Sequence, residues 1–275
     1  MILPSSMHAQ VADLLRRVAA EQVLPRFRAL RRGDVGEKSP GETVTIADLE
    51  AEAALTAGLL DLLPSARVVG EEACAADPRL LEGLDEGLVW LVDPLDGTSN
   101  FARGDGGFAM LVALLQAGEA VAAWLYEPLR GALASAETGS GAFLDGARLQ
   151  IAAGPALATH DLHGVVKTRF LPPAQRAALA PGRPGLPTIH QTTTPAGLDY
   201  PALALGQWRF LLYWRTLAWD HVPGCLFITE AGGTAARLDG TPYRAAAQGT
   251  GLLVASDAQV WRAVRGLLPD AAGGG

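Results

Sequence analysis

The chain has 275 residues, long for one domain and short for two large ones, and its 49% hydrophobic and 19% charged residues are the balance of a globular protein with a sizeable core. A formal net charge of −7 excludes a broad polyanion-binding surface, because neutralising many phosphates takes clustered Lys and Arg. Cys74 and Cys225 stand alone without CxxC or Cys/His spacing, the start MILPSSMHAQ lacks signal-peptide order, and no apolar run reaches the roughly 18 residues of a membrane span; a soluble, cytoplasmic protein with reduced thiols is expected.

Residues 6–30 place Val11, Leu14, Leu15 and Val18 at helical spacing behind a Ser-Ser start and predict a first helix, its basic end at 26–32 solvated. RRGDVGEKSPGETV, residues 31–44, breaks all periodicity and reads as an exposed, mobile loop that could close over a ligand. A second helix is predicted over 48–63, capped near Thr45 or Asp48 and closed by Pro64. The short strand ARVVG follows and ends in Glu71 and Glu72, and residues 88–92 form another apolar strand. Residues 107–128 read as two strands joined by the turn AGEA, and 131–150 add more strands with Asp145-Gly146 as a hairpin signal. GSG at 139–141 lacks the spacing and setting of a dinucleotide loop and reads as a plain turn.

Beyond residue 150 strands and helices alternate: LHGVVKTRF, a helix over 173–179, a Pro/Gly-rich surface loop or linker over 181–197, then a helix and a strand within YPALALGQWRFLLYWRT. WDHVPGCLFITEAGG reads as a buried helix with Pro223 in its first turn and Gly232 and Gly233 as its C-terminal cap. The expected organisation is an α+β lobe over 1–150 and an α/β lobe over 151–275, without internal repeats.

The chemistry concentrates in VWLVDPLDGTSNF. Asp93 and Asp96 flank a proline at the end of an apolar strand, and Glu71 and Glu72 end another. Converging carboxylates at strand ends cannot all stay ionised without a counter-charge, and a hard divalent cation such as Mg2+ supplies one through oxygen ligands. Pro94 stiffens the turn and leaves the Leu95 carbonyl free as a further ligand, while Gly97 and Thr98 open a short helix whose N–H groups suit an anion. Cation plus helix start suggests phosphate. The alternative is a turn in which Asp caps its own backbone.

WLVDPLDGTSNF followed by WDHVPGCLFITEAGG resembles the two signatures of the inositol monophosphatase family of Mg2+-dependent, lithium-sensitive phosphomonoesterases, and VTIAD, VVGEEA, YEPLRGALASAETGSGAFLDG and LQ fall in the family's order between residues 8 and about 265. The resemblance implies a layered α/β/α/β/α sandwich, usually a homodimer, with two or three Mg2+ ions per subunit and Mn2+ as a substitute. It implies one metal site at Glu71, Asp93 and the Leu95 carbonyl, a second at Asp93, Asp96 and Asp220, and a weaker third sharing Glu71. Asp48 and Thr98 match the pair that deprotonates the attacking water, and the N–H groups of Gly97 and Thr98 match the phosphate cradle.

Tyr213 stands where inositol-preferring members carry a glutamate, so another substrate is in view: histidinol phosphate, a sugar bisphosphate or a 3'-phosphoadenosine phosphate. Either Arg215 meets a second anionic group while Tyr213 stacks on a ring, or Tyr213, Trp214 and Trp219 are core or dimer contacts. His221 reads as structural, and Lys38 either screens phosphate or is solvated. A phosphatase acting on a small phosphate ester, without nucleic-acid or membrane partners, is the expectation; a non-catalytic regulatory relative is the alternative.

Overall fold

The computed structural model describes residues 5–152, 158–180, 185–247 and 249–269. The first helix, α1 (Ser5–Val18), is shorter than 6–30: a π-helical turn (Ala19–Val23) and a 3-10 turn (Leu24–Arg26) follow it, where Pro25 has no N–H to continue the ladder. Residues 31–44 are not an irregular loop. Val35–Ser39 (β1) and Glu42–Thr45 (β2) pair as an antiparallel hairpin, turned at Gly41 with φ 76°. Thr45 then caps α2 (Ile46–Leu62): its hydroxyl accepts from the Ala47 N–H while the Asp48 carboxylate accepts from the Thr45 N–H.

A seven-stranded sheet runs in sequence order through β3 (Arg67–Gly70), β4 (Leu88–Asp96), β5 (Ala109–Gln116), β6 (Glu119–Glu127), β7 (Ala132–Glu137), β8 (Gly141–Leu144) and β9 (Ala147–Leu149). Only β3 and β4 are parallel, joined through the short helix α3 (Glu71–Ala76). The predicted hairpin at Asp145-Gly146 forms with both residues left-handed, φ 50° and 79°, and Ala117-Gly118 turns β5 into β6 in the same way. Helix α4 (Thr98–Arg103) follows β4 directly.

The second sheet has the order β11-β10-β12-β14-β13, built from β10 (His163–Val166), β11 (Thr188–His190), β12 (Phe210–Tyr213), β13 (Thr234–Arg237) and β14 (Leu252–Ala255). Strand β11 lies inside the stretch expected as a loop, whose residues 181–184 fall outside the described residues. Its helices are α5 (Pro173–Ala178), α6 (Ala196–Ala204), α7 (Ala218–Glu230) and α8 (Ala258–Arg265). Pro223 sits beyond the first turn of α7, and past the helix end at Glu230 the φ of 93° at Gly232 lets the Gly233 N–H reach the Ile228 carbonyl at 2.9 Å.

The side-chain period of two explains the layering. On β5, Met110, Val112 and Leu114 pack with Val11, Leu15, Leu55 and Leu59 of α1 and α2. Leu111 faces the opposite way, into a cluster with Tyr200 of α6, Phe227 and Ile228 of α7, and Leu211 and Val254 of the second sheet. Phe210, Leu212 and Leu253 use the far face of that sheet to bury Val260 and Val264 of α8. The result is the α/β/α/β/α sandwich, with α6 and α7 as the central layer. A Cβ on Gly224 of α7 would lie 2.1 Å from the Tyr200 ring of α6, so Gly224→Ala should cost about 1–3 kcal/mol. Thermal melting tests this: a loss of several degrees is expected, and an unchanged midpoint would show that the contact relaxes freely.

Candidate functional site

The bulge that interrupts β4 is what makes the site. Asp93 pairs with Leu111 and Asp96 with Ala109, so between these pairs Pro94 and Leu95 stand against the single residue Met110 and β4 holds one extra residue. Without it, Asp93 and Asp96 would point to opposite faces; with it, both turn toward the central layer. Pro94 fits the bulge because no ladder N–H is needed there. The parallel register sets Gly70 opposite Val92, which delivers Glu71 beside Asp93. Asp220 arrives on the first turn of α7, fixed by Trp219 and Val222 packing against Val89, Leu91 and Ala113. Glu71, Asp93 and Asp220 each offer a carboxylate oxygen, and these oxygens lie within 4.8 Å of one another.

Asp96 borders the same 210 Å³ cavity and accepts the Gly197 N–H of α6 at 2.6 Å. The Thr98 hydroxyl stands 2.7 Å from Asp48 Oδ1 and 3.0 Å from the Leu95 carbonyl, so it can donate to either. Asp48 is held in turn by the Thr45 hydroxyl at 2.5 Å and by the α2 cap. Gly97 has φ 97°, and a Cβ there would come within 2.7 Å of the Gly107 carbonyl, so the turn into α4 needs glycine.

The electrostatics are those of a site short of positive charge. Burial, then repulsion from Glu71, Asp96 and Asp220, pushes the Asp93 carboxyl well above the usual range. Burial with Glu71 and Asp96 does the same to Asp220. Asp96 is pushed by burial to about 7 despite the Gly197 N–H, and Asp48 by burial to about 6 despite its hydroxyl partners. The cation bonded to these acids is Lys38, whose ammonium lies 2.6 Å from Glu71 and 2.7 Å from Glu72. Burial opposes its charge, but those glutamates hold it above the ordinary lysine value. Lys38 is therefore not a solvated loop residue. Glu72 turns to Lys38, and Glu71 alone of the pair joins the three-carboxylate cluster. Closely set oxygen donors with unmet negative charge fit a hard divalent cation.

The same groups predict an unusual pH dependence. Folded pKa values above the unfolded ones, in Asp93, Asp220, Asp96 and Glu72 (the last two about 7), mean that the folded chain binds more protons than the unfolded one near neutrality. Stability then rises as pH falls through that window. His221, lowered to about 3 by burial, opposes this only near and below about pH 6.5. In EDTA the melting temperature should climb by roughly 5 °C from pH 8 to pH 6. Saturating Mg2+ should flatten the curve; a metal-free curve that falls over this range would contradict the assignment.

Beside the acids opens a 730 Å³ cavity that shares Asp96, Ser99, Asn100, Arg169, Arg215 and Asp220 with the smaller one. Tyr213 faces it but is buried, its hydroxyl 3.2 Å from Asp199 and its ring beside Tyr200 and His221. His221 is locked between the Tyr200 hydroxyl, at 2.9 Å, and the Arg215 carbonyl. Arg215 is ion-paired to Glu42 of β2 and lies 4.4 Å from the centroid of the Phe170 ring. Trp219 is core, and Trp214 is partly buried against the α8 cluster.

Sequence reasoning passed over Lys167, Asp199, Arg169 and Glu52. Lys167 and Asp199 pair at 2.8 Å beneath Tyr213, and Glu52 accepts the Glu72 and Ala73 N–H groups that begin α3. A lone carboxylate in the apolar helix AGLDYPALA was the available signal, since such a group needs a cation.

Comparison with known proteins bears on the family and the fold. The model of the inositol monophosphatase family matches residues 5–268. An inositol-1-monophosphatase of Rhizobium meliloti is 32% identical over 258 residues, 90% of each chain. A protein of Vibrio cholerae named Nus factor SuhB is 28% identical, covering 82% of this chain and 84% of its own. A calcium-bound protein of this family from Staphylococcus aureus superposes with a TM-score of 0.81 at 18% identity, over all of this chain and 98% of that one. Fold, near-complete family match and a relative of this identity together show that the chain belongs to the inositol monophosphatase family.

Proposed function

We propose that the protein is a Mg2+-dependent phosphomonoesterase that hydrolyses a small phosphorylated metabolite by an activated water. The observation that carries the proposal is the Glu71, Asp93 and Asp220 cluster set beside the Thr98–Asp48 hydrogen bond. Glu71, Asp93 and the Leu95 carbonyl would hold one ion, and Asp93, Asp96 and Asp220 a second, with a third sharing Glu71; Mn2+ would substitute. Bound there, the ions would neutralise the carboxylates and supply Lewis-acid chemistry to a water and to the phosphate oxygens. Thr98 Oγ1 accepts a proton from the attacking water as its own passes to Asp48 Oδ1. A carboxyl raised by burial to about 6 suits that work, being mostly ionised at pH 7 yet more basic than an exposed aspartate. The N–H groups of Gly97 and Thr98 receive the phosphate. No covalent enzyme intermediate is needed.

The relative named inositol-1-monophosphatase supports phosphate-ester chemistry, and the Tyr213 hydroxyl, engaged by Asp199, argues for a leaving group other than inositol. Histidinol phosphate, a sugar bisphosphate and a 3'-phosphoadenosine phosphate are the alternatives. The relative named Nus factor gives ground for a second reading, a non-catalytic regulatory protein that binds metal and an anion. The working form we propose is a cytoplasmic homodimer. Phosphate release from these esters and inositol 1-phosphate, in Mg2+ or EDTA, separates the readings. Magnesium-dependent turnover of at least one is expected, and none on any ester would favour the regulatory protein.

A further inference from the structure

We infer that the substrate carries a second anionic group, a phosphate or a carboxylate, which Arg169 and Arg215 hold across the ring of Phe170. The inference rests on the hydrolase reading and extends it to the part of the substrate that is not cleaved. In a chain of net charge −7, the 730 Å³ cavity is bordered by Arg103, Lys167, Arg169 and Arg215. Its only carboxylates among the described residues are Asp96 and Asp220, which face the acid cluster. The other charged side chains on its wall are thus the four cations.

The four cations are not equivalent. Arg103 is paired with Asp105 at 2.9 Å and Lys167 with Asp199 at 2.8 Å. Arg169 has no carboxylate within ion-pair distance among the described residues; its one hydrogen bond there is to the Gly41 carbonyl at 3.1 Å. Its guanidinium lies 5.0 Å from the Phe170 centroid, and that of Arg215 lies 4.4 Å from the same centroid. Phe170 is 41% exposed. Glu42 offsets the charge of Arg215, but no carboxylate among the described residues offsets that of Arg169 beside it, so the pair of guanidiniums keeps a net positive charge for an incoming anion. Arginine binds such an anion through paired N–H donors. Both residues border the catalytic cavity as well as the larger one, so an anion held there belongs to a molecule whose phosphate can reach the acid cluster.

A purely structural role is the competing account, because Arg215 and Arg169 also tie the β1–β2 hairpin to the opposite wall through Glu42 and the Gly41 carbonyl. Matched substrates and variants of opposite sign separate the two. The test compares Mg2+-supported phosphate release from 3-phosphoglycerate with glycerol 3-phosphate, and from fructose 1,6-bisphosphate with fructose 1-phosphate. In at least one pair kcat/KM should be about tenfold or more higher for the member with the extra anion, and the pair that shows it tells carboxylate from phosphate. Arg169→Ala and Arg215→Ala should each lower that ratio about fivefold or more, chiefly through KM, and Arg169→Lys should restore part of it. Glu42→Gln, which frees Arg215, should raise the ratio, whereas a structural latch predicts that it falls with Arg215→Ala. A ratio near one in both pairs, with Mg2+-dependent turnover of glycerol 3-phosphate intact, overturns the inference and leaves the hydrolase standing. A high ratio insensitive to either arginine variant also overturns it. Absence of Mg2+-dependent turnover on every ester removes the hydrolase reading and the inference with it.

Discussion

Asp93→Asn is expected to reduce phosphate release by about a thousandfold or more while making the metal-free protein more stable. Opposite signs are the signature of a carboxylate kept for its ion. Asp93 is buried, it is shared by both proposed metal positions, and three other carboxylates raise the cost of its charge. The amide keeps the shape, and the Oδ1 position can still accept the Leu95 N–H now held at 3.0 Å. It removes a buried carboxyl that, without metal, must either carry a charge with no cation bonded to it among the described residues or take up a proton at neutral pH, and both are costly. A gain of about 1–3 kcal/mol at neutral pH follows, or several degrees of melting temperature in EDTA. In Mg2+ the order should reverse, because only the wild-type chain gains stability from binding the ion. Circular dichroism melts of both proteins, with and without Mg2+, check this; a variant destabilised in EDTA would mean that Asp93 serves the fold.

Thr98→Ala and Asp48→Asn should each lower kcat by roughly 10²- to 10⁴-fold with little change in Mg2+ affinity. Neither side chain belongs to the clustered carboxylates. Their 2.7 Å hydrogen bond links the cavity to the base of α2, so both substitutions interrupt one proton path. Effects on one path should not multiply, and the double variant should resemble the worse single one. The side-chain oxygen that remains in Asp48→Asn can still accept the Thr45 N–H, which keeps the helix cap and separates a catalytic defect from unfolding. Metal titration by calorimetry beside steady-state kinetics decides it: equal losses in affinity and rate would place the pair among the ligands instead.

What could be read from the sequence follows from how local each feature is. Asp93, Asp96, Gly97 and Thr98 lie within six residues, and the meaning of that stretch survives without tertiary context. The same holds for the cap at Thr45 and the left-handed turn at Asp145-Gly146, where the residue types suit the backbone. The bulge that turns Asp93 and Asp96 to one face was not legible, because it exists only in the pairing with β5. The hairpin over 35–45 was misread as a loop since its strand VGEKS is mostly exposed and carries no apolar alternation. What holds it is remote: Lys38 on Glu71 and Glu72, and Glu42 on Arg215. Arg169 and Lys167 escaped for the same reason, as single cations whose partners lie 25 or more residues away.

Anomalous diffraction from crystals grown with Mn2+ and inorganic phosphate tests the central claim most directly. The account predicts metal peaks between Glu71, Asp93 and Asp220, a displaced Lys38 ammonium, and phosphate beside the N–H groups of Gly97 and Thr98. A cluster without metal at saturating Mn2+, with Lys38 still bonded to Glu71, would contradict it.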